Sequence, residues 1–111
     1  MTRVNVKKSD KTFLMSIETK GHSGYSQEGS DIICAAVSTA CELVINILES
    51  FSVDIELEID AEKPYFCCNV LQNENNFSKM DTIQHIAQGY VKFIGDLSDT
   101  YPMYLKISTE V

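Results

Sequence analysis

A histidine and a cysteine in the first third of the sequence could work together as a base and a nucleophile. His22 and Cys34 flank a stretch rich in glycine and serine, and Cys34 falls near the start of the longest apolar segment. Nucleophilic cysteine chemistry needs a group that takes the thiol proton and later protonates the leaving amine. The pair therefore suggests a catalytic dyad. The plain alternative is a strand-end histidine with a satisfied ring and a cysteine that fills the core.

The segment that carries Cys34 is predicted to form a helix over residues 31–50. Ser30 or Asp31 can cap this helix, and its first turn then contains Cys34, where unpaired N–H groups and the dipole favour a thiolate. Those N–H groups can also stabilise an oxyanion. Asp31 and Ser38 lie one turn before and one turn after the cysteine. Asp31 could orient His22 or only cap the helix. Ser38 could bind near the thiol or back to the carbonyl of Cys34.

The rest of the chain predicts five strands and a second helix. Strands are expected near residues 4–6, 13–17, 53–60, 65–71 and 100–108, and a helix over 78–96. Strand alternation and helical spacing of the apolar residues support these assignments. The order β-β-α-β-β-α-β predicts an α+β two-layer sandwich, an antiparallel or mixed sheet with two helices on one face. Residues 1–111 would form a single domain, and Pro102 hints at an edge position for the last strand.

Two segments of the predicted fold have a distinctive composition. Residues 21–30 contain 3 glycines and 3 serines, which predicts a mobile loop of a length that is commonly functional. In residues 53–60, apolar and acidic residues alternate, so we expect the apolar half to be buried and the four carboxylates to be solvated.

Composition and charge limit the classes of partner. The 111 residues include 9 basic and 16 acidic side chains, a formal net charge of −7, and 44% are hydrophobic, which is typical of a globular protein. This charge argues against a nucleic acid as the main partner and is compatible with a basic protein or peptide. No apolar run approaches the roughly 20 residues of a membrane span, and the N-terminus lacks the pattern of a signal peptide. We therefore expect a cytoplasmic protein.

The remaining cysteines and the second histidine have simpler interpretations. Cys41 and Cys67 are predicted to be small buried hydrophobic residues, and the sequence has no C-x-x-C motif. A metal site formed by His22, Cys34 and Cys41 would lack an evident fourth ligand, so we expect neither a metal nor another cofactor. His85 falls away from the apolar stripe of its helix and is predicted to be a solvated surface residue.

The residues around the predicted dyad resemble the signature of the ribosomal-processing cysteine protease family, known as Prp. The matching residues are Gly21-His22-Ser23, Gly29 and Asp31-Ile32-Ile33-Cys34-Ala35-Ala36-Val37-Ser38. The signature is specific because it combines these residue types in one order and spacing. It covers residues 21–38, and beyond Ser38 only the length and the order of elements match.

The resemblance implies a cysteine endopeptidase, a hydrolase that removes a short N-terminal extension from a bacterial large-subunit ribosomal protein. It implies that Cys34 is the nucleophile and His22 its base. Supporting positions by the same resemblance are Gly21, Gly29, Asp31 and Ser38. Members of the family are homodimers, cleave after aromatic residues of a basic, apolar peptide, and have a loop that is thought to move to admit it.

The predicted helix over residues 31–50 bears on the assembly. It is apolar almost all round, which predicts packing against the sheet and against a second surface, such as a dimer partner. A competing hypothesis is a non-catalytic dimeric binding protein that docks on a basic ribosomal partner. Its motivation is the net charge of −7.

Overall fold

The computed structural model describes residues 1–9, 14–21, 31–60, 62 and 65–110. Its elements follow in the order β1 (Thr2–Lys8), β2 (Leu14–Lys20), α1 (Ile32–Ser50), β3 (Ile55–Asp60), β4 (Tyr65–Val70), α2 (Glu74–Phe77), α3 (Met80–Thr100) and β5 (Leu105–Glu110). The predicted α+β class is confirmed, and the short helix α2 is an addition to the predicted order.

The five strands form one mixed sheet in the order β3-β4-β2-β1-β5. Neighbouring strands are antiparallel, except that β5 runs parallel to β1. The last strand is at an edge, as predicted, although Pro102 itself lies in the turn before β5. The mixed form of the predicted sheet is therefore the one observed.

Both long helices pack on one face of the sheet. Each contributes a stripe of buried side chains at helical spacing, as expected for helices with one face on a core. The stripe of α1 is Ile33, Val37, Cys41, Val44 and Leu48, and that of α3 is Ile83, Ala87, Tyr90 and Ile94. The sheet supplies Val4 and Val6 from β1 and Ile17 from β2 to the same core. The opposite face of the sheet is polar and carries the exposed side chains of Arg3 and Lys106.

The segment between β4 and α3 differs most from its prediction as a simple polar connection. It contains α2, which Asn73 caps by accepting a hydrogen bond from the Asn76 N–H at 2.9 Å. α3 then begins at Met80 and extends to Thr100, four residues beyond the predicted end. Hydropathy alone did not indicate α2, because its residues are almost all polar and the structure-forming side chain, Asn76, is itself polar.

The prediction that β3 buries its apolar half is wrong for its outer part. The side chains of Leu57 and Ile59 are 44% and 70% exposed. Two helices packed side by side, 8–10 Å apart, are together about as wide as four strands spaced about 4.8 Å apart. One outermost strand of a five-stranded sheet is therefore left uncovered, and in this sheet it is β3. The carboxylates of this segment are exposed, as expected.

The apolar character of α1 exceeds the expectation from the sequence. By length and composition this helix could cross a membrane, with a mean hydropathy of 1.8. The core helix of a globular protein meets the same criterion, and the buried stripe of α1 packs on the sheet in that way. The apolar residues on its other side, such as Ile32 and Leu43, are more than half exposed.

Candidate active site

Three element ends meet at one edge of the domain. In the antiparallel pairing of β1 with β2, Arg3 lies opposite Lys20, which brings the start of β1 next to the end of β2. The N-terminus of α1 lies at the same place, because the Thr2 hydroxyl oxygen is 3.8 Å from the Cys34 sulfur. The fold thus places Cys34 beside the start of the first strand, at the edge where β2 ends and the chain continues through Gly21 to His22.

Gly21 satisfies a backbone requirement at this junction. Its φ of +83° lies in the left-handed region that side chains other than glycine rarely adopt. A Cβ atom at this position would be 2.5 Å from the carbonyl oxygen of Met1, which is too close for any substitution without movement of the backbone. The chain therefore needs glycine where it leaves β2 for His22. His22 and Gly29, together with the other residues of 22–30, lie outside the described residues.

Asp31 caps α1. Its carboxylate oxygen Oδ1 accepts hydrogen bonds from the N–H groups of Ile33 and Cys34 at 3.0 and 3.1 Å, and its carbonyl accepts one from Ala35 at 3.1 Å. The side chain is buried, as expected of a cap that is enclosed by the junction. The N–H groups of Ile33, Cys34 and Ala35, which the sequence predicted as possible oxyanion donors, therefore already donate hydrogen bonds to Asp31.

The electrostatics around Cys34 follow from this cap. The helix N-terminus carries a partial positive charge, and the Asp31 carboxylate accepts hydrogen bonds from the N–H groups at that end. The carboxylate therefore offsets part of the positive charge beside Cys34.

Ser38 lies one turn beyond Cys34 and is exposed. Within the part of the chain that the structure describes, its hydroxyl makes no hydrogen bond to the cysteine. It lies instead on the wall of a groove of about 370 Å³, hereafter the α1–β3 groove. The residues that line this groove are Thr19, Ser38, Cys41, Glu42, Ile45, Leu57, Ile59 and Phe66.

Cys41, at the base of the groove, belongs to a buried polar network. Its sulfur is 3.3 Å from the Tyr90 hydroxyl and 3.7 Å from the Thr19 hydroxyl. Burial raises the pKa of Tyr90 above its usual range, so the phenol stays protonated and can donate. Cys41 is thus held as a structural thiol, in agreement with its prediction as a buried residue.

The other two cysteines lie in β4 and are also buried. Burial raises the pKa of Cys68 to about 12, and burial also raises the pKa of Cys67. Both thiols therefore remain protonated near neutral pH. All four cysteines are free, and Cys34 is the one that is only partly buried.

Thr2 is a neighbour of the nucleophile candidate that was not predicted from the sequence. Thr2 is 1% exposed and its N–H donates to the carbonyl of Tyr104 at 2.9 Å. The alternation of β1 did contain this information, because Thr2 lies on the same face of the strand as the core residues Val4 and Val6. That face is turned towards the helices, and Thr2, at the start of the strand, reaches the start of α1.

His85 is placed as the sequence predicts. Its side chain is 72% exposed on α3, and its ring nitrogen Nδ1 is 2.8 Å from the carbonyl oxygen of Asp81. It lies on a different element from the junction that contains Cys34.

Comparisons with known proteins show a family and a similar fold. A family model described as cysteine protease Prp matches residues 1–106. The fold is similar to the essential ribosomal processing protease Prp from S. aureus in complex with a covalently linked product peptide, with a TM-score of 0.85, 19% identity, and coverage of 98% of this chain and 99% of that one. The same S. aureus protease in complex with a substrate peptide matches with a TM-score of 0.81, 18% identity and the same coverage.

A third similar structure is that of SMU.848 from Streptococcus mutans. It is 25% identical, with a TM-score of 0.82 and coverage of 99% of this chain and 94% of that one. No curated protein matches the chain.

Proposed function

Because the chain belongs to the cysteine protease Prp family, we propose that it removes a short N-terminal extension from a large-subunit ribosomal protein. The observation that carries the proposal is the position of Cys34. This thiol is partly buried at the start of α1, whereas the other three cysteines are buried. It is therefore the thiol that a peptide can reach.

In the proposed reaction, Cys34 is the nucleophile and His22 the base. His22 takes the thiol proton, and the thiolate attacks the carbonyl carbon of the scissile peptide bond. The imidazolium then gives the proton to the amine of the shortened ribosomal protein, which leaves. Water, with His22 again as base, hydrolyses the thioester, which releases the cleaved extension as a carboxylic acid and restores the Cys34 thiol. Once protonated, His22 is the cation that offsets the thiolate and the Asp31 carboxylate at this helix end.

A basic peptide fits the charge of the protein as a substrate. The chain carries a net charge of −7, and β3 beside the α1–β3 groove presents the exposed carboxylates of Glu56, Glu58 and Asp60. Such a field raises the local concentration of a positively charged peptide and its rate of association. We place this activity in the cytoplasm, where ribosomal subunits are assembled.

The test of the proposal is cleavage of a synthetic peptide that spans the N-terminus of that ribosomal protein. Cys34→Ala and His22→Ala are expected to abolish cleavage, while Cys41→Ala retains it, since Cys41 is buried in a network with Tyr90. Mass spectrometry locates the cut, and circular dichroism checks that the variants fold. Cleavage at the wild-type rate by Cys34→Ala would contradict the proposal. Binding without cleavage by the wild-type protein would favour the non-catalytic alternative.

The active form is proposed to be a homodimer. An apolar depression of about 660 Å³ lies between α1 and α3 on the side away from the sheet. Its walls include Ile32, Leu43 and Phe93, which are 55%, 58% and 48% exposed, and the small residues Ala35 and Ala36. Exposed apolar surface of this kind on neighbouring helices is typical of an interface, and a second copy would cover it.

The dimer is tested with a charge at the centre of this surface. Leu43→Glu is expected to give a monomer, because a buried unpaired carboxylate is costly at an interface. The mass in solution is measured by light scattering after gel filtration. Met103→Glu, at a residue that is 76% exposed in another part of the chain, is the control and keeps the wild-type mass. A wild-type mass for Leu43→Glu would contradict this interface.

A further inference from the structure

The polar face of the sheet, which lies opposite the helices, carries three positive charges in one line. In the strand registers, Lys106 of β5 lies beside Arg3 of β1, and Arg3 lies beside Lys20 of β2. All three side chains are exposed, and they project away from the buried face that Thr2 and Val4 share. These three residues are hereafter the cationic row. Because neighbouring strands are about 4.8 Å apart, the row places its three charges on backbone positions within about 10 Å.

The cationic row has a cost that the described part of the chain does not offset. Like charges that lie directly opposite each other on neighbouring strands destabilise a sheet. Within the described residues, Arg3 and Lys106 make no ion pair, and Lys20 makes one surface pair, with Glu18 at 3.5 Å, which contributes little in water. An anion that binds across the row would relieve this repulsion.

The net charge of −7 does not prevent such binding, because a bound anion responds mainly to the charges near it. Along the line of the row, the first carboxylate is that of Asp60 on β3, two strands from Lys20 and four from Lys106. Two strand spacings are about 10 Å and four are about 19 Å. Both exceed the Debye length of about 8 Å at physiological ionic strength. Glu18 is closer but pairs with Lys20 alone, so the rest of the row is locally positive.

The same line continues from the cationic row to an aromatic ring. Tyr65 of β4 lies beside Lys20, and the Lys20 ammonium is 6.0 Å from the centre of the ring. The ring is partly exposed, and its hydroxyl donates a hydrogen bond to Glu18 Oε2 at 3.1 Å, which holds it in place. Single-stranded nucleic acids bind to this combination, with phosphates on the cations and a base stacked on the ring. An acidic peptide could use the cations but has no base for the ring.

The cationic row lies at the same edge of the sheet as the candidate active site. Arg3 follows Thr2, whose hydroxyl oxygen is 3.8 Å from the Cys34 sulfur, and Lys20 precedes Gly21, where β2 has ended. The row is on the polar face and Cys34 is on the helix side. A molecule on the row therefore leaves the approach to Cys34 from the helix side open.

We propose that the cationic row binds the phosphates of a single-stranded RNA segment, one base of which stacks on Tyr65. Arg3 is the central contact, because a planar guanidinium can bind a phosphate through two hydrogen bonds, and the two lysines act as point charges on either side. The choice of RNA rests on the proposed function, since the proposed substrate is a protein of the ribosome.

The test is the affinity for a fluorescently labelled oligouridine, measured by anisotropy at several salt concentrations. Three neutralised phosphates of a single strand predict a slope of about −2 for the logarithm of the association constant against that of the salt concentration. Arg3→Gln, Lys20→Gln and Lys106→Gln should each raise Kd about fivefold at low salt and reduce the slope by about 0.7. Lys92→Gln, at a lysine of α3 whose side chain is 77% exposed, is the matched control and should bind as the wild type. An unchanged Kd for all three row variants, or an equal loss for Lys92→Gln, would overturn the proposal.

The role of the aromatic ring separates RNA from other polyanions. Tyr65→Ala should raise Kd for oligouridine about tenfold, the scale of one lost stacking contact, and Tyr65→Phe should bind as the wild type. Polyglutamate of matched length should bind more weakly than oligouridine and show no difference between the wild type and Tyr65→Ala. Circular dichroism checks that the variants fold. Equal affinity for the two polyanions, or an oligouridine affinity that Tyr65→Ala leaves unchanged, would overturn the assignment to RNA.

These outcomes are independent of peptide cleavage, because RNA binding is measured in a Cys34→Ala background. If the protein binds oligouridine through the row but the wild type does not cut the ribosomal-protein peptide, the peptidase proposal fails and the row stands. If the wild type cuts the peptide and the row variants bind oligouridine with an unchanged Kd, the row fails and the peptidase proposal stands.

Discussion

At the scale of single residues, two neighbours within the described part of the chain have opposite effects on Cys34. The Asp31 carboxylate accepts a hydrogen bond from the Cys34 N–H and places negative charge near the sulfur. The Thr2 hydroxyl, 3.8 Å from the sulfur, can donate a hydrogen bond to a thiolate. Since Thr2 is buried and its backbone is fixed to Tyr104, its hydroxyl is held in position without further cost in side-chain entropy.

Thr2 is therefore predicted to be a positioning residue for the thiolate. Thr2→Val keeps the shape of the side chain and removes the hydroxyl, and it should slow alkylation of Cys34 by iodoacetamide about fivefold, equivalent to about 1 kcal/mol. Thr2→Ser should restore the rate. The measurement is the rate of alkylation at one pH for the three proteins. Equal rates for the Val variant and the wild type, or no recovery with the Ser variant, would show that the hydroxyl has no such role.

At the scale of elements, the most informative feature is the connection between β4 and α3. Asn76 is fully buried and satisfies three backbone groups, accepting from the Asp54 N–H at 2.8 Å and donating to the carbonyls of Asp54 and Leu71 at 2.8 and 2.6 Å. One side chain thus joins the entry of β3, the exit of β4 and the helix α2. This fixes the position of β3, whose inner face forms one wall of the α1–β3 groove.

Asn76→Ala is predicted to lower the free energy of unfolding by about 2–3 kcal/mol, because three buried backbone groups lose their partner. Asn75→Ala is the matched control, since Asn75 makes exposed hydrogen bonds to Ser52 and Asp54 in the same segment. It should cost less than about 1 kcal/mol. Urea denaturation measures both values. Equal losses for the two variants would mean that the buried network does not stabilise β3.

At the scale of the whole molecule, the protein encloses several ionisable groups in their neutral form. Burial raises the pKa of Cys68 to about 12 and also raises the pKa of Tyr90, and both lie in the core between the sheet and the helices. In the unfolded chain a thiol titrates near pH 8.5. Folding favours the neutral thiol, because the folded-state pKa is higher than that of the unfolded chain. The folded state is therefore most stable below about pH 8.5, and its stability falls as the pH rises towards the folded-state pKa, because the unfolded chain then loses the proton first.

The free energy of unfolding should therefore fall above about pH 8.5, with a slope approaching about 1.4 kcal/mol per pH unit for each of the β4 thiols, Cys67 and Cys68. Urea denaturation between about pH 7.5 and about pH 10 measures the slope. Cys68→Ala should be less stable at every pH but show a shallower decline, because one titrating group is absent. A stability that is constant or rising over this range would contradict the enclosure of these groups.

Much of the fold could be predicted because hydrophobic periodicity reports which side of an element faces a core. The stripe from Ile33 to Leu48 indicated α1, and the alternation around Val4 and Val6 indicated β1. The exposure of Leu57 and Ile59 could not be predicted in this way. Alternation of apolar and polar residues indicates that one face of a strand is apolar. Whether a helix covers that face depends on the position of the strand in the sheet.

The sequence by itself determined the residue types available for chemistry and the order in which they occur. A cysteine in the first turn of a capped helix, preceded by Gly21-His22, is a local pattern, and local patterns are set by neighbouring residues. The tertiary structure alone decided that Thr2 lies beside Cys34, that Asn76 joins three elements and that the inner face of β3 remains open. Each of these depends on contacts between residues far apart in the chain, which form only when the strands adopt the order β3-β4-β2-β1-β5 and the two long helices pack on one face.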